Sequence, residues 1–266
     1  MVKTVIDQLG NVHYFEKTPQ RIISLVPSQT ELLYDLGLEE TLLGITKFCV
    51  HPPHFKATKT IVGGTKNIKI DVIKALQPDI IICNKEENTK ELVVELRKIC
   101  TVWVTNVEDY YSNLQMIRDF GNVFNKRTEA SNLIAKIEHK YSDFQLFIKE
   151  KSVKKVAYFI WAKPFMVAGK NTYINEMLKM NHFQNIYQEK ESRYPEIELK
   201  KIRLEGDPDI VFLSSEPFPF TDEHAFEIGI FTHHSKTVFV DGEMFSWHGS
   251  RIVKAFDYFK QIHSKI

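Results

Sequence analysis

The sequence predicts two β/α (Rossmann-like) lobes with parallel sheets, joined by one long backbone helix, with a ligand cleft at the strand ends. Three observations predict it. Short Ile- and Val-rich runs alternate with helical periodicity in both halves, as strands buried on two faces require. The alternation stops once, in a purely helical stretch over Arg127–Lys151. A weak repeat also sets Ile73-Lys-Ala-Leu-Gln-Pro-Asp-Ile-Ile-Ile82 against Ile202-Arg-Leu-Glu-Gly-Asp-Pro-Asp-Ile-Val-Phe212, each with a Pro-Asp feeding a strand.

Val2 to Thr18 alternates around Leu9-Gly10-Asn11, which reads as a β-hairpin. Ile22–Val26 is the first strand, and Ser28-Gln-Thr-Glu31 reads as a capping box opening a helix through Leu36. Leu42–Ile45 and Asp79–Cys83 are further strands. Helices are expected at Asn88–Ile99 and Ser112–Phe124, with a strand at Val102–Thr105 between them. Over Arg127–Lys151, Leu133, Ile134, Ile137, Tyr141, Phe144, Phe147 and Ile148 form one apolar stripe without a breaking Gly or Pro. Strands then return at Lys155–Ile160, Ile210–Leu213 and Thr237–Val240, with helices after Thr172 and over Ser250–His263. The expected division is an N-terminal lobe at 1–125 (hairpin 1–18), the connecting helix at 126–151 and a C-terminal lobe at 152–266.

Composition narrows the function. The 266 residues carry 35 basic and 34 acidic side chains, a formal charge of +1, which gives no global attraction to nucleic acid or acidic membrane. Cys49, Cys83 and Cys100 form no CxxC pair. The chain as written shows no signal peptide and no apolar run long enough to span a bilayer, so it reads as cytoplasmic, with no membrane insertion and no nucleic-acid partner. GxSxG, P-loop, HExxH and GxGxxG motifs are all missing, and no nucleophile–base set stands out, so no enzyme and no catalytic cofactor are expected.

Candidate ligand contacts cluster after strands. Pro27, Ser28 and Gln29 follow the first strand, where helix N–H groups meet a ligand crevice; Ser28 either caps its helix or touches ligand. Phe48-Cys-Val-His-Pro-Pro-His54 holds His51 and His54 on a stiff loop expected to run extended, so that the imidazoles diverge. His51, His233, His234 and His248 do not by themselves make a metal site, which needs three or four converging ligands; His51 and His248 are the weak metal candidates. Lys66, after Gly63-Gly64, meets an anionic ligand or is a solvated turn residue. Trp161, Phe218 and Phe220, and Phe245 and Trp247 follow successive strands of the second half, as core lids or as the wall of a large planar ligand.

Together, Arg21-Ile-Ile-Ser-Leu-Val-Pro-Ser-Gln-Thr-Glu-Leu33 with Pro52-Pro53 and Asp71–Ile82 resembles the first lobe of cobalamin-binding proteins; Gly169–Met177 and Ser250–Ala255 resemble their second lobe. The wider group is the helical-backbone substrate-binding proteins of ABC importers for cobalamin, haem and ferric siderophores. The resemblance implies a monomeric binding protein that clamps a metal chelate, cobalamin or an iron chelate, between its lobes for an ABC permease, in the periplasm or cell envelope. It implies ligand contacts at Pro27, Ser28, Gln29, Lys47, Phe48, His51, Thr65, Lys66, Asn67, Trp161, Phe218, Phe245, Trp247 and His248, with Lys66 or Lys163 at the cleft rim. A lysine at 66, where cobalamin binders of the group place an aromatic, favours a ligand bearing carboxylates or phosphate. Permease docking falls to Asp71 in the first lobe, while Lys200 or Lys201 stands at the second docking position. The alternatives are a metal-dependent or corrinoid-handling enzyme on this scaffold, and a direct binder of bare divalent metal.

Overall fold

The computed structural model describes residues 2–266, and the chain divides into two compact units. The first holds residues up to Glu138 together with His248–Arg251; the second holds His139–Trp247 and Ile252–Ile266. Among the described residues no helix is long and apolar enough to cross a membrane.

The first unit begins with the expected hairpin, β1 (Lys3–Ile6) and β2 (Val12–Phe15), turning at Gly10 with φ +82°. Then follow β3 (Ile22–Ser24), α1 (Pro27–Asp35), β4 (Leu42–Ile45), α2 (Phe55–Thr58), β5 (Thr60–Ile61) and α3 (Ile70–Ala75). The series continues with β6 (Ile80–Asn84), α4 (Lys90–Leu96), β7 (Thr101–Thr105), α5 (Tyr110–Val123) and α6 (Arg127–Ile148). The five-stranded sheet runs β5-β4-β3-β6-β7, wholly parallel, so the strand order reverses between β3 and β6. Isoleucines at 23 and 81 and valines at 62, 102 and 104 bury one face against α3 and α4. The hairpin covers the edge strand: Asp7 Oδ2 accepts from Val104 N and Gln8 Oε1 from Asn106 N, which occupies an edge that would otherwise be open to pairing.

The second unit runs β8 (Lys154–Trp161), β9 (Met166–Val167), α7 (Tyr173–Met180), β10 (Phe183–Asn185), a 3-10 turn at Leu199–Lys201 and α8 (Ile202–Glu205). It ends with β11 (Ile210–Ser214), α9 (Asp222–Gly229), β12 (Lys236–Val240), α10 (Gly242–Ser246) and α11 (Ile252–His263). The order β10-β8-β11-β12 is parallel, with β9 antiparallel on β8, and it reverses between β8 and β11. The Pro-Asp repeat has the same wiring in each unit. Asp79 Oδ2 accepts from Arg21 N while Asp79 N donates to Arg21 O; Asp209 treats Lys155 in the same way. Each aspartate thereby registers the start of its own strand against the start of the first strand.

Helix α6 is continuous through Ile137, and Ile134, Ile137, Phe144 and Ile148 on its stripe are buried. In the second unit its last turns pack on α11, with Phe144 against Phe256 and Phe259, flanked by the Lys140–Asp257 and Lys260–Asp143 ion pairs.

Three expectations need correction. Helix α1 starts one residue early, at Pro27, with extended Val26 as its cap and no side-chain cap bond. Proline suits the first helical position because its missing N–H costs nothing there. Ser28 is therefore inside the helix, and Glu31 pairs with Arg251 instead of closing a box. The last helix starts at Ile252, not Ser250. The 51–54 loop is a turn, not an extended run: Phe55 N donates to Pro52 O, and His54 reaches Glu39 at 2.7 Å.

Candidate binding surfaces at the strand ends

In open α/β sheets ligands sit outside the carboxyl ends of the strands, at the point where strand order reverses. In the first unit β3 and β6 flank that point. Their ends and those of their neighbours carry a buried polar row: Ser24, Thr46, Asn84 and Thr105. Buried polar atoms persist only where they are bonded, and these are. Gln29 Nε2 and Asn84 Nδ2 both donate to Thr105 Oγ1, at 2.5 and 3.0 Å. Thr30 Oγ1 donates to Ser24 Oγ, and Thr46 and Thr30 hydroxyls meet the Cys49 thiol.

His248 joins this layer. Gln29 Nε2 approaches its Nε2 at 2.9 Å and Ser28 Oγ at 3.3 Å. Burial lowers the imidazole pKa to about 4, so the ring is neutral and its Nε2 accepts from the amide. Pro27, Ser28, Gln29 and His248 are thus brought together, but as buried residues supporting the surface.

Above them lies a more open patch. Gly64 N donates to Asn67 O at 2.7 Å, closing a tight turn with Thr65 and Lys66 at its tip. Gly63, at φ +119°, allows it: a Cβ there would stand 2.5 Å from Asn67 O. Asn88 fastens the turn by donating Nδ2 to Thr65 O while its Oδ1 accepts from Asn84 N. Lys47 N donates to Gly63 O, Phe48 lies against Gly64, and the Lys47 ammonium sits 5.0 Å from the Phe48 ring centre. Phe48 is 49% exposed, and Lys66 and Asn67 are also exposed. The result is an aromatic face with one ammonium upon it and a second lysine on the adjoining turn. Such a face suits a flat ligand with an acidic edge. His51 is half-buried, and Asp71 is exposed in the first turn of α3.

In the second unit the reversal point lies between β8 and β11, and two aromatics stand there. Trp161 ends β8 and is 40% exposed; Phe218 follows β11, with ring centres 5.3 Å apart edge to face. Phe218 in turn packs on Phe220 and His224. Phe220 is buried against Phe159, so only Phe218 of that pair belongs to the open face. Trp247 is mostly buried, its indole N–H donating to Glu216 Oε1 at 2.9 Å. Phe245, expected at the ligand face, is instead fully buried among Tyr158, Phe212 and Phe259. It points inward from α10 and joins that aromatic cluster. Lys163, Lys200 and Lys201 are exposed, the last two sharing Glu198.

Sequence reasoning missed Asn84, Asn88 and Thr105 beneath the first patch and Glu216 beneath Trp247. The available signal was position: each is a polar residue at, or a few places beyond, the end of an apolar strand. Among the described residues no group of three His, Cys, Asp or Glu side chains is arranged to hold a metal ion. His234 instead pairs with Asp207.

Comparison with known proteins agrees with this architecture. A family model described as periplasmic binding protein matches residues 22–229. An uncharacterised ABC transporter substrate-binding lipoprotein of Bacillus subtilis, YvrC, is 27% identical over 195 residues, covering 68% of this chain and 60% of that protein. A vitamin B12-binding protein of Vibrio parahaemolyticus is 27% identical over 203 residues, covering 73% of this chain and 70% of its own. The matched stretch thus spans only 60–70% of these relatives' length. The periplasmic vitamin B12-binding protein BtuF of Vibrio cholerae superposes with a TM-score of 0.79 at 19% identity, covering 94% of this chain and 99% of the other. The periplasmic heme-binding protein RhuT of Roseiflexus sp. RS-1 does so at 0.80 and 17%, covering 92% and 98%.

Proposed function

Because the chain belongs to the periplasmic binding protein family, we propose that it captures a large metal chelate, a corrinoid foremost, and passes it unchanged to an ABC-type permease. The observation that carries this reading is exposed Trp161, set edge to face on half-buried Phe218 at the point of strand reversal in the second unit. Exposed aromatic area at a strand-end crevice is what a large, flat ligand requires, and chemistry on the ligand requires none of it. Phe48 supplies exposed aromatic area at the strand ends of the first unit. The vitamin B12-binding relative supports the corrinoid choice.

A second reading, an anionic ferric or haem-like chelate, is favoured by Lys47 and Lys66 around Phe48, whose ammonium groups suit carboxylates. For delivery, exposed Asp71 offers a carboxylate to permease arginines, and Lys200 and Lys201 give the second unit a docking surface of opposite sign. The work so described belongs to the outer side of the cytoplasmic membrane, in the periplasm or at the cell envelope.

The test is a titration of the purified chain with cyanocobalamin, hemin and ferric citrate, read by tryptophan fluorescence. Saturable quenching by one of the three is the expected result. A flat response to all of them overturns the proposal.

A further inference from the structure

Glu216 sits in the loop after β11, at a place the sequence offers no motif for. Its Oε1 accepts two hydrogen bonds, from Ser246 Oγ at 2.7 Å and from Trp247 Nε1 at 2.9 Å. Both donors lie at the end of α10, beyond the next strand of the sheet. The main chain of Glu216 is itself held in place. Ser214 Oγ donates to Glu216 O at 2.6 Å and also accepts from Glu216 N and from Tyr158 OH. Gly242 leaves the room: a Cβ there would come within 2.6 Å of Glu216 Cγ. Two residues on, the same loop carries Phe218, the partner of Trp161.

A carboxylate in so enclosed a place is unfavourable by itself. Burial pushes the Glu216 pKa up, with Glu243 and Asp241 adding to it and the Ser246 and Trp247 donors opposing. A purely structural link between two loops needs only a neutral acceptor. A carboxylate here forms a stronger, charge-assisted bond to the indole, and it fixes the ring rotation of Trp247.

The geometry points to Glu216 as the residue that, bonded to the buried indole of Trp247, fixes its own loop and so positions Phe218 for ligand contact. This rests on the reading that the chain binds a chelate at its strand ends. Glu216 is a positioning residue: Phe218 makes the contact, and Glu216 acts by tying their shared loop to the end of α10 through Trp247 and Ser246. Replacing the indole by a ring without an N–H removes the larger of the two groups that Glu216 holds.

The experiment measures binding of cyanocobalamin and of hemin to the wild-type chain, Glu216→Ala, Glu216→Asp, Glu216→Gln and Trp247→Phe, each checked for native circular dichroism. Glu216→Ala and Glu216→Asp are expected to weaken the bound probe roughly tenfold, one charge-assisted contact's worth. Glu216→Gln, which keeps an acceptor oxygen at the same reach but loses the charge, recovers only part of the affinity. In a Trp247→Phe background, where Ser246 is the remaining donor to that oxygen, Glu216→Asp has a much smaller effect. The indole N–H proton resonance of Trp247 moves in Glu216→Asp, while those of Trp103 and Trp161 stay. If Glu216→Ala fails to fold, the one-methylene change to Asp carries the test. Wild-type affinity in Glu216→Asp, or an equal loss in the Trp247→Phe background, overturns the inference while leaving the binding function standing. If the wild-type chain binds neither probe, the binding reading falls and the inference falls with it.

Discussion

Arg251 Nε donates to Glu31 Oε2 over 2.8 Å, with both side chains almost wholly removed from water. The two residues come from opposite ends of the chain, yet both belong to the first unit. The pair anchors the short return segment His248–Arg251, which Asn113 also grips by accepting from Gly249 N and donating to Gly249 O. Breaking a buried ion pair from one side leaves an uncompensated charge. Glu31→Leu and Arg251→Met should each lower stability by about 3–5 kcal/mol in urea unfolding, and the two together should cost clearly less than the sum. Additive losses would show that the pair is not coupled.

Acid should loosen the same region. His248 has a folded-state pKa of about 4, below its ordinary 6.5, because burial disfavours the imidazolium. Between those values the unfolded chain binds a proton that the folded chain does not, so stability falls as pH drops through this window and is complete above it. The loss is on the order of 3 kcal/mol by pH 4. His263 adds a smaller change of the same sign, being only half-buried. Denaturation midpoints followed from pH 7 to 4 should fall less steeply in His248→Gln than in the wild type.

The turn that carries Lys66 depends on Gly63. Gly63→Ala puts a Cβ 2.5 Å from Asn67 O and 2.8 Å from Ile68 Cα at a positive φ. A stability loss of about 1–3 kcal/mol and weaker ligand binding should follow. Gly10→Ala is the control: its φ is also positive, but nothing lies within 4 Å of the new carbon. It should cost about 1–2 kcal/mol and leave binding unchanged.

Lys66→Ala distinguishes the two ligand readings. A neutral corrinoid should bind the variant almost as well as the wild type. An acidic chelate should lose roughly tenfold in affinity, the worth of one charge-assisted contact. Isothermal titration with cyanocobalamin and ferric citrate reads both.

The apolar stripe of α6 was legible because seven side chains repeat at helical spacing, and periodicity reports burial whatever the partner. The β3, β6, β8 and β11 strands were legible for the same reason: both faces are covered, so most of their residues are apolar. The two- and three-residue strands β5, β9 and β10 were not, since, unlike the equally short β3 inside Ile22–Val26, they lie in no apolar run of that length. At the site, the exposed aromatics Phe48 and Trp161 were legible from their place just after a strand. Phe245 occupies a similar place and went the other way, because α10 turns it into the core.

By itself the sequence determined the alternation of strand and helix, the one long helix between the halves, and the Pro-Asp corners at 79 and 209, all consequences of local periodicity and backbone stereochemistry. Only the tertiary structure decided partners. Ser28 reads locally as a cap, yet its hydroxyl faces His248, 220 residues away in sequence. Glu31 completes a box on paper and instead neutralises Arg251. Glu216 has no motif and acquires its role from the indole of Trp247. The physical reason is common to the three: a buried polar group must find a complementary atom, and which atom stands within 3 Å is set by how distant segments pack.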